Sequence, residues 1–148
     1  MAKLLLPKEL REFIALLNAE GVEYVVVGGY ALAIHGRPRM TGDVDLFVRC
    51  SPENAARIVL VLKRFGVESI GFTKEDFEDP DTVVQFGRPP NRIDILTGID
   101  GVTFDEAWAD RVETNLDGVT AYVISKAGLI RNKRASGRLK DNADLESL

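Results

Sequence analysis

The apolar residues near the start of the chain recur with the spacing of an amphipathic helix. Four of them fall at positions i, i+3, i+4 and i+7, which places them on one helical face. Pro7 suits the first turn of such a helix, and Gly21 is where we expect it to end. The residues that form this predicted buried face are Leu10, Phe13, Ile14 and Leu17.

Short runs of β-branched and aromatic residues farther along predict buried strands. The run 22–27 (VEYVVV) ends at the pair Gly28-Gly29, which predicts a strand that passes into a tight turn. A hairpin is predicted over 112–124, with its turn within 115–118. The other predicted strands cover residues 43–48, 82–86 and 92–96.

Helices are predicted between these strands. Ser51 and Pro52 form an N-cap and a first-turn proline, and the spacing Thr103-x-x-Glu106 is that of a capping box. Because strands and helices alternate, we predict an α/β fold in which a mixed β-sheet is flanked by helices. Besides the two helices that these caps begin, helices are predicted over residues 30–35, 125–137 and 140–148.

The composition agrees with one globular domain that spans residues 1–148. Apolar residues make up 45% and charged residues 28% of the 148 positions. No run approaches the roughly 20 apolar residues needed to cross a bilayer, and the start of the chain does not have the pattern of a secretory signal. The lone Cys50 cannot form an internal disulfide, which suggests a reducing compartment. We therefore expect a cytoplasmic protein with no membrane partner.

Basic residues are concentrated near the C-terminus of an otherwise acidic chain. Residues 125–140 contain six lysines and arginines and no acid, while the whole chain has a net charge of −4, so the remaining residues carry −10. The helical segment 125–148 is therefore predicted to be basic, and Arg131, Arg134 and Arg138 line one stripe of it. Such a stripe is either a solvated helix face or a surface that binds a triphosphate or RNA.

The clearest chemical signal is a pair of acids within a predicted strand. Asp43 and Asp45 are two residues apart, so both side chains point to the same face, while Val44 points into the core. Aspartate is a poor strand former, and two neighbouring carboxylates repel each other unless a cation compensates them. Because Mg²⁺ and Mn²⁺ prefer carboxylate oxygens, a divalent metal ion is the natural counterion. The alternative is a strand entry with solvent-facing acids.

Asp94 is a third acid within an otherwise apolar predicted strand. If this strand lies beside the strand with the acid pair, the three carboxylates meet at one spot and can bind two metal ions for displacement at phosphorus. The alternative is an ion pair of Asp94 with Arg92 or Arg88.

The glycine pair Gly28-Gly29 is a candidate phosphate-binding turn. It stands where the first strand ends and a helix is predicted to follow. Backbone N–H groups of glycines approach phosphate oxygens closely, and a helix N-terminus favours an anion. Ordinary turns also use such pairs, so this signal gains weight only together with the acids.

These motifs together resemble the signature of the nucleotidyltransferase superfamily that includes DNA polymerase beta. The shared pattern is a glycine pair, a spacer of 13 residues in this chain, an acid pair of the form Asp-apolar-acid-apolar, and a third acid on a later strand. The segments 35–36, 39–41 and 137–141 are similar to those of minimal bacterial and archaeal nucleotidyltransferase-like proteins, a group related to the toxin half of abortive-infection toxin–antitoxin systems. The resemblance is carried by Gly28-Gly29, Asp43-Val44-Asp45-Leu46 and Ile93-Asp94-Ile95.

The resemblance implies a nucleotidyltransferase fold and the transfer of a nucleoside monophosphate from an NTP to an acceptor. Two Mg²⁺ or Mn²⁺ ions would be the cofactors, with Asp43, Asp45 and Asp94 as catalytic and metal-binding residues. The acceptor is unidentified, and RNA, a protein and a small molecule are all candidates. The nucleotide-binding residues that the resemblance implies are Gly28, Gly29, Thr41 and Lys140.

Other functions fit the same residues. Gly29 stands where the superfamily often has a serine, which motivates a degenerate nucleotide-binding module without turnover. The basic C-terminal segment motivates a toxin–antitoxin component that acts on RNA or on a partner protein. A metal-dependent hydrolase that uses the same acids is a weaker third interpretation. Because the chain is small for an acceptor-binding module of its own, we expect a partner subunit or a homo-oligomer.

Overall fold

A computed structural model describes residues 7–36, 42–67, 71–87, 92–146 and 148 of the chain. Within these residues one six-stranded sheet forms the centre of the fold. Its strands are β1 (Tyr24–Val27), β2 (Val44–Val48), β3 (Val83–Phe86), β4 (Ile93–Leu96), β5 (Val112–Leu116) and β6 (Val119–Val123). Their order across the sheet is β3-β4-β2-β1-β6-β5.

Helices connect these strands and cover the sheet. A short 3-10 helix, Lys74–Phe77, precedes β3. In the described ranges, no helix is long and apolar enough to cross a bilayer. The α-helices of this part of the chain are α1 (Lys8–Ala19), α2 (Gly28–His35), α3 (Pro52–Phe65), α4 (Phe104–Ala109), α5 (Lys126–Ser136) and α6 (Leu139–Leu145).

The sheet contains both parallel and antiparallel pairs, which confirms the predicted α/β class with a mixed sheet. β2 is parallel to β4, and β1 is parallel to β6. The pairs β1–β2, β3–β4 and β5–β6 are antiparallel. It follows that β2 and β4 begin at the same edge of the sheet and that β1 ends there.

One face of the sheet packs against α1 and α3. The predicted apolar face of α1 is confirmed, because its four residues are exposed by 1% or less. Phe13 of α1 contacts Phe65 at the end of α3 and Phe86 on β3, with ring centroids 5.0 and 5.4 Å apart. Fully burying a side chain of this kind contributes about 1.5–3 kcal/mol, so this layer anchors the sheet. The opposite face holds the cleft described below.

The local signals for the ends of several elements are confirmed. Ser51 Oγ accepts a hydrogen bond of 3.2 Å from the Asn54 N–H at the start of α3. Thr103 and Glu106 form the predicted capping box of α4. The predicted hairpin is β5–β6, and Gly118 in its turn has a φ of 89°. These elements were predictable because their determinants are close together in the chain.

Two boundaries near the glycine pair differ from the prediction. β1 begins at Tyr24, two residues later than predicted, because the Glu23 N–H donates to the side chain of Asn54 (2.8 Å) instead of to a neighbouring strand. α2 begins at Gly28, two residues earlier than predicted, because Val27 is already its extended N-cap. β1 therefore passes into α2 without an intervening loop.

Candidate active site

The sheet brings the acids of β2 and β4 side by side. Asp45 on β2 and Asp94 on β4 are Cα partners in the parallel pair, and neighbouring strands are about 4.8 Å apart. Asp43 lies one residue before β2, which is therefore one residue shorter than predicted. All three acids line one cleft of about 620 Å³. The two strands are thus neighbours, which is the condition under which the sequence places the three carboxylates together.

Gly28 makes room for the carboxylate of Asp45. Val27, the last residue of β1, is the Cα partner of Asp45, and α2 follows directly. Gly28 has a φ of 66°, and a Cβ atom there would lie 2.1 Å from Asp45 Oδ2. Both glycines of the pair line the cleft. The close approach of the Asp45 carboxylate to the backbone at Gly28 therefore requires glycine at this position. This role of Gly28 was not apparent from the sequence.

Arg92 bridges two of the three acids. It lies directly before β4, and its Nη2 atom donates to Asp43 Oδ2 at 3.0 Å. Its Nε atom is 3.4 Å from Asp94 Oδ1, which is an ion pair without hydrogen-bond geometry. The ion pair between Asp94 and Arg92 that the sequence left as an alternative is thus present. It coexists with the clustering of the acids, and we call Asp43, Asp45, Asp94 and Arg92 the sheet cluster.

The oxygen donors of the sheet cluster fit a divalent metal ion. Carboxylate oxygens are the ligands that Mg²⁺ and Mn²⁺ prefer. Asp94 Oδ1 is buried and accepts no hydrogen bond from the residues that the structure describes, so it retains the capacity to bind a cation. In the same residues, however, no three acidic, histidine or cysteine side chains are arranged to hold a metal ion. The donors are therefore suitable in kind, while their arrangement is that of carboxylates paired with an arginine.

The wall of the cleft opposite the acids comes from the C-terminal helices. Asn132 and Ser136, one turn apart on α5, line it together with Lys133 and Arg138. Asn132 and Ser136 were not among the predicted site residues. Their spacing of four along a predicted helix was the available signal, but only the packing of α5 shows that this stripe faces the acids.

A second group of charges includes residues of this wall and centres on a buried lysine and two buried aspartates. Lys133 Nζ is 3.1 Å from Asp141 Oδ1 and 3.2 Å from Asp144 Oδ2, and the Lys133 side chain is only 5% exposed. Asp141 also accepts hydrogen bonds from Ser136 and from Arg138, the latter at 2.6 Å from Nε. We call these five residues the helix cluster.

Hydrogen bonds keep Asp141 of the helix cluster ionised. Burial by itself would raise the pKa of this carboxyl group. The hydrogen bonds donated by Arg138, Ser136 and Lys133 outweigh burial and lower the pKa of Asp141 far below its usual range. Asp141 is therefore a fixed negative charge that orients Arg138 at the mouth of the cleft.

The basic stripe predicted on the C-terminal segment is not uniform. Arg131 and Arg134 are exposed on α5, whereas Arg138 is held by Asp141. Lys133, which was counted in the basic window, is buried by its two aspartate partners. The acids of α6 thus neutralise part of the positive charge, and RNA binding by the exposed arginines stays a prediction.

Two predicted nucleotide-binding residues have no described side chain in the cleft. Thr41 lies outside the described residues, and Lys140 belongs to α6 but its side chain is also outside them. Two other residues near the glycines have structural contacts. His35 Nε2 is 2.7 Å from the carbonyl oxygen of Ile124, as expected of a core partner. Tyr30 is 2% exposed, and burial together with the charge of Asp43 raises its pKa.

Known protein structures share this architecture. A putative nucleotidyltransferase from Thermotoga maritima superposes with a TM-score of 0.62 at 19% sequence identity, over 93% of this chain and 88% of that chain. The lincosamide antibiotic adenylyltransferase LnuA, with lincomycin bound, gives 0.55 at 17% identity over 98% and 97% of the two chains. An antigenic nucleotidyltransferase-like protein from Paracoccidioides brasiliensis gives 0.56 at 17% identity over 97% and 75%. Identities this low show the fold alone, and the predicted nucleotidyltransferase fold is confirmed.

The family of the chain follows from its sequence. No curated protein sequence matches it. Residues 6–148 match the model of a family described as a nucleotidyltransferase of unknown function, DUF6036. This match covers nearly the whole chain and agrees with the predicted resemblance to minimal nucleotidyltransferases. The chain therefore belongs to the DUF6036 family of nucleotidyltransferases.

Proposed function

We propose that this chain transfers a nucleoside monophosphate from an NTP to a hydroxyl group of an acceptor, and that the reaction takes place in the cleft. The observation that carries the proposal is the register of Asp45 and Asp94 on adjacent parallel strands, with Asp43 at the same edge of the sheet. Family membership supports the same class of reaction. The cleft volume of about 620 Å³ also lies within the range of small-molecule sites.

In this proposal Asp43, Asp45 and Asp94 hold Mg²⁺ or Mn²⁺. When bound, such ions neutralise the charge of the triphosphate and make the acceptor hydroxyl more acidic. The acceptor oxygen forms a bond to the α-phosphorus while the bond to pyrophosphate breaks, and pyrophosphate leaves with the electron pair. The hydroxyl proton passes to the carboxylate of Asp94, which is the most buried of the three acids.

The opposite wall supplies groups that can orient the triphosphate. Asn132, Ser136 and Arg138 offer an amide, a hydroxyl and a guanidinium to the cleft. Arg138 is suited to a phosphate, because its side chain is 68% exposed while Asp141 fixes its direction. The protein then acts mainly by positioning the reactants and neutralising charge. The acceptor is RNA, a protein or a small molecule.

A nucleotide-binding module without turnover is the second candidate. It is favoured by one observation, the pairing of Arg92 with Asp43 and Asp94, which compensates the acids without a metal ion. In such a module the fold and the glycine pair would still hold a nucleotide. The two functions differ in whether a phosphorus bond is broken, so one assay separates them.

The assay incubates the protein with each of the four NTPs, labelled at the α-phosphate, with Mg²⁺ and with RNA, protein and small-molecule fractions of a cell extract. We expect release of pyrophosphate and label in one fraction. A double variant, Asp43→Asn and Asp45→Asn, should lower pyrophosphate release and labelling by about 10²–10³-fold. It removes the two negative charges that would hold the metal ions, which stabilise the charge of the transition state.

The matched control removes two acids outside the cleft, Glu53→Gln and Asp110→Asn, which are both exposed. It should label the acceptor as the wild type does. Unchanged labelling by the double variant in the cleft would exclude this site. Nucleotide binding without label transfer from any NTP would favour the binding module.

A further inference from the structure

We propose that Arg92 is a built-in counterion that competes with divalent metal ions for the sheet cluster, so that metal enters together with a polyphosphate and not before it. The inference rests on the proposed function and concerns the order in which its ligands bind. It assigns to Arg92 the role of a positioning residue that holds the acids together until substrate arrives.

Arg92 is positioned to hold two of the three acids together. Its Nη2 and Nε atoms reach Asp43 Oδ2 at 3.0 Å and Asp94 Oδ1 at 3.4 Å, so the guanidinium spans two of the three carboxylates. The main chain of Arg92 is held in place, because its carbonyl oxygen accepts a hydrogen bond of 3.0 Å from the Val44 N–H. The carboxylates that it contacts are two of the three that would hold a metal ion.

The electrostatics of the site make the two cations exclusive. A carboxylate oxygen that is paired with a guanidinium offers less negative potential to a second cation, and two cations a few ångströms apart repel each other. Bringing a divalent ion to Asp94 therefore requires that Arg92 move away. A polyphosphate ligand lowers the cost of this movement, since it offers the guanidinium another pair of anionic oxygens.

The geometry of the pairing between Arg92 and Asp94 favours release of Arg92. Arg92 Nε and Asp94 Oδ1 are buried and make no hydrogen bond within the described residues, although they face each other. Arg138, in contrast, donates to Asp141 from both Nε and Nη2. A two-pronged pair of that kind holds a guanidinium firmly in one direction. Arg92 instead combines one good hydrogen bond with one ion pair of poor geometry.

The test measures Mn²⁺ binding by equilibrium dialysis, with and without inorganic tripolyphosphate. Only the Mn²⁺ retained on the protein side in excess of the protein-free side is counted as bound, because both sides contain the same complex of Mn²⁺ with tripolyphosphate. The variant is Arg92→Gln, and Arg138→Gln is the control, because it removes the same charge from the same cleft but not from the sheet cluster. Without tripolyphosphate, we expect Arg92→Gln to bind Mn²⁺ at least about tenfold more tightly than the wild type, and Arg138→Gln less than about threefold more tightly. With tripolyphosphate, the wild type should bind Mn²⁺ about as tightly as Arg92→Gln.

A second variant covers the case in which Arg92→Gln does not fold. Arg92→Lys keeps the charge but replaces the planar fork with a single ammonium group, so its affinity for Mn²⁺ should fall between the wild type and Arg92→Gln. Equal Mn²⁺ affinities of all the proteins without tripolyphosphate would overturn the role of Arg92 and leave the metal site intact. Absence of Mn²⁺ binding by every protein, with and without tripolyphosphate, would instead overturn the metal-dependent function itself.

Discussion

The sheet cluster and the helix cluster contain similar groups, yet they differ in how fully the most buried carboxylate of each is hydrogen-bonded. In the helix cluster Asp141 is 0% exposed and accepts four hydrogen bonds, from Lys133, Ser136 and Arg138. In the sheet cluster Asp94 is 8% exposed, and its buried Oδ1 accepts no hydrogen bond from the described residues. Both groups of charges border the same cleft.

This difference separates a structural ion cluster from a candidate site. Burial of a charged group is tolerated when hydrogen bonds satisfy it. A carboxylate whose oxygens already accept such hydrogen bonds has little capacity left to bind a cation. A buried carboxylate that is incompletely paired destabilises the protein when no ligand is bound. Binding of a cation removes this destabilisation. The comparison therefore predicts that changes at the buried Lys133 and Asp141 of the helix cluster lower stability, whereas changes in the sheet cluster mainly lower ligand binding.

Breaking the helix cluster should have the largest effect on stability. Lys133→Met removes the ammonium group between Asp141 and Asp144 and leaves two buried charges short of a partner. We expect the free energy of unfolding, measured by urea denaturation, to fall by about 3–5 kcal/mol. Arg134→Met, on the same helix but exposed, should change it by less than about 1 kcal/mol. Similar losses in the two variants would remove the distinction between the clusters.

Crowding the sheet cluster should cost less stability but should damage the site. In Gly28→Ala the residue must adopt a φ of 66°, and its Cβ atom would meet the carboxylate of Asp45. Gly21→Ala is the matched control, with a φ of 69° and no atom within 4 Å of the new Cβ. We expect both variants to lose about 1–2 kcal/mol of stability from backbone strain.

Only the Gly28→Ala variant should also weaken Mn²⁺ binding in the presence of tripolyphosphate, because only there is Asp45 displaced. Mn²⁺ binding by both variants at the wild-type level would argue against Asp45 as a ligand.

Acidification should produce the smallest effect, and it should come from the helix cluster. The pKa of Asp141 is lowered in the folded protein, whereas in the unfolded chain an aspartate has a pKa of about 3.9. Below about pH 4 the unfolded chain therefore takes up a proton that the folded protein does not. The free energy of unfolding consequently decreases as the pH is lowered. Urea denaturation from pH 6 to pH 2.5 should show this decline, and Asp141→Asn should flatten it. Asp94→Asn, the matched change in the sheet cluster, should leave the contribution of Asp141 to this decline in place. If the free energy of unfolding of Asp141→Asn depended on pH as that of the wild type does, Asp141 would not be its source.

Much of the fold was predictable because its determinants are local. The helical face of α1, the cap at Ser51 and the capping box at Thr103 each depend on residues within two turns of one another. The acid pair at the start of β2 and the lone acid of β4 were recognisable for a similar reason. A charged residue among the apolar residues of a predicted strand is visible from its immediate neighbours in the sequence. The paired glycines then connected these acids to a nucleotidyltransferase fold.

The partners of the charges were decided by tertiary structure alone. The sequence by itself determined which residues are acidic, which strands they occupy and that Asp43 and Asp45 share a face. It did not determine that Arg92 spans two acids, that Lys133 is buried behind the cleft, or that Gly28 is required by Asp45. Apart from the contact between Arg92 and Asp94, each of these contacts joins residues that are 8 to 49 positions apart in the chain. The distance between such residues depends on the packing of helices and strands, which no local pattern of hydrophobic and polar positions encodes.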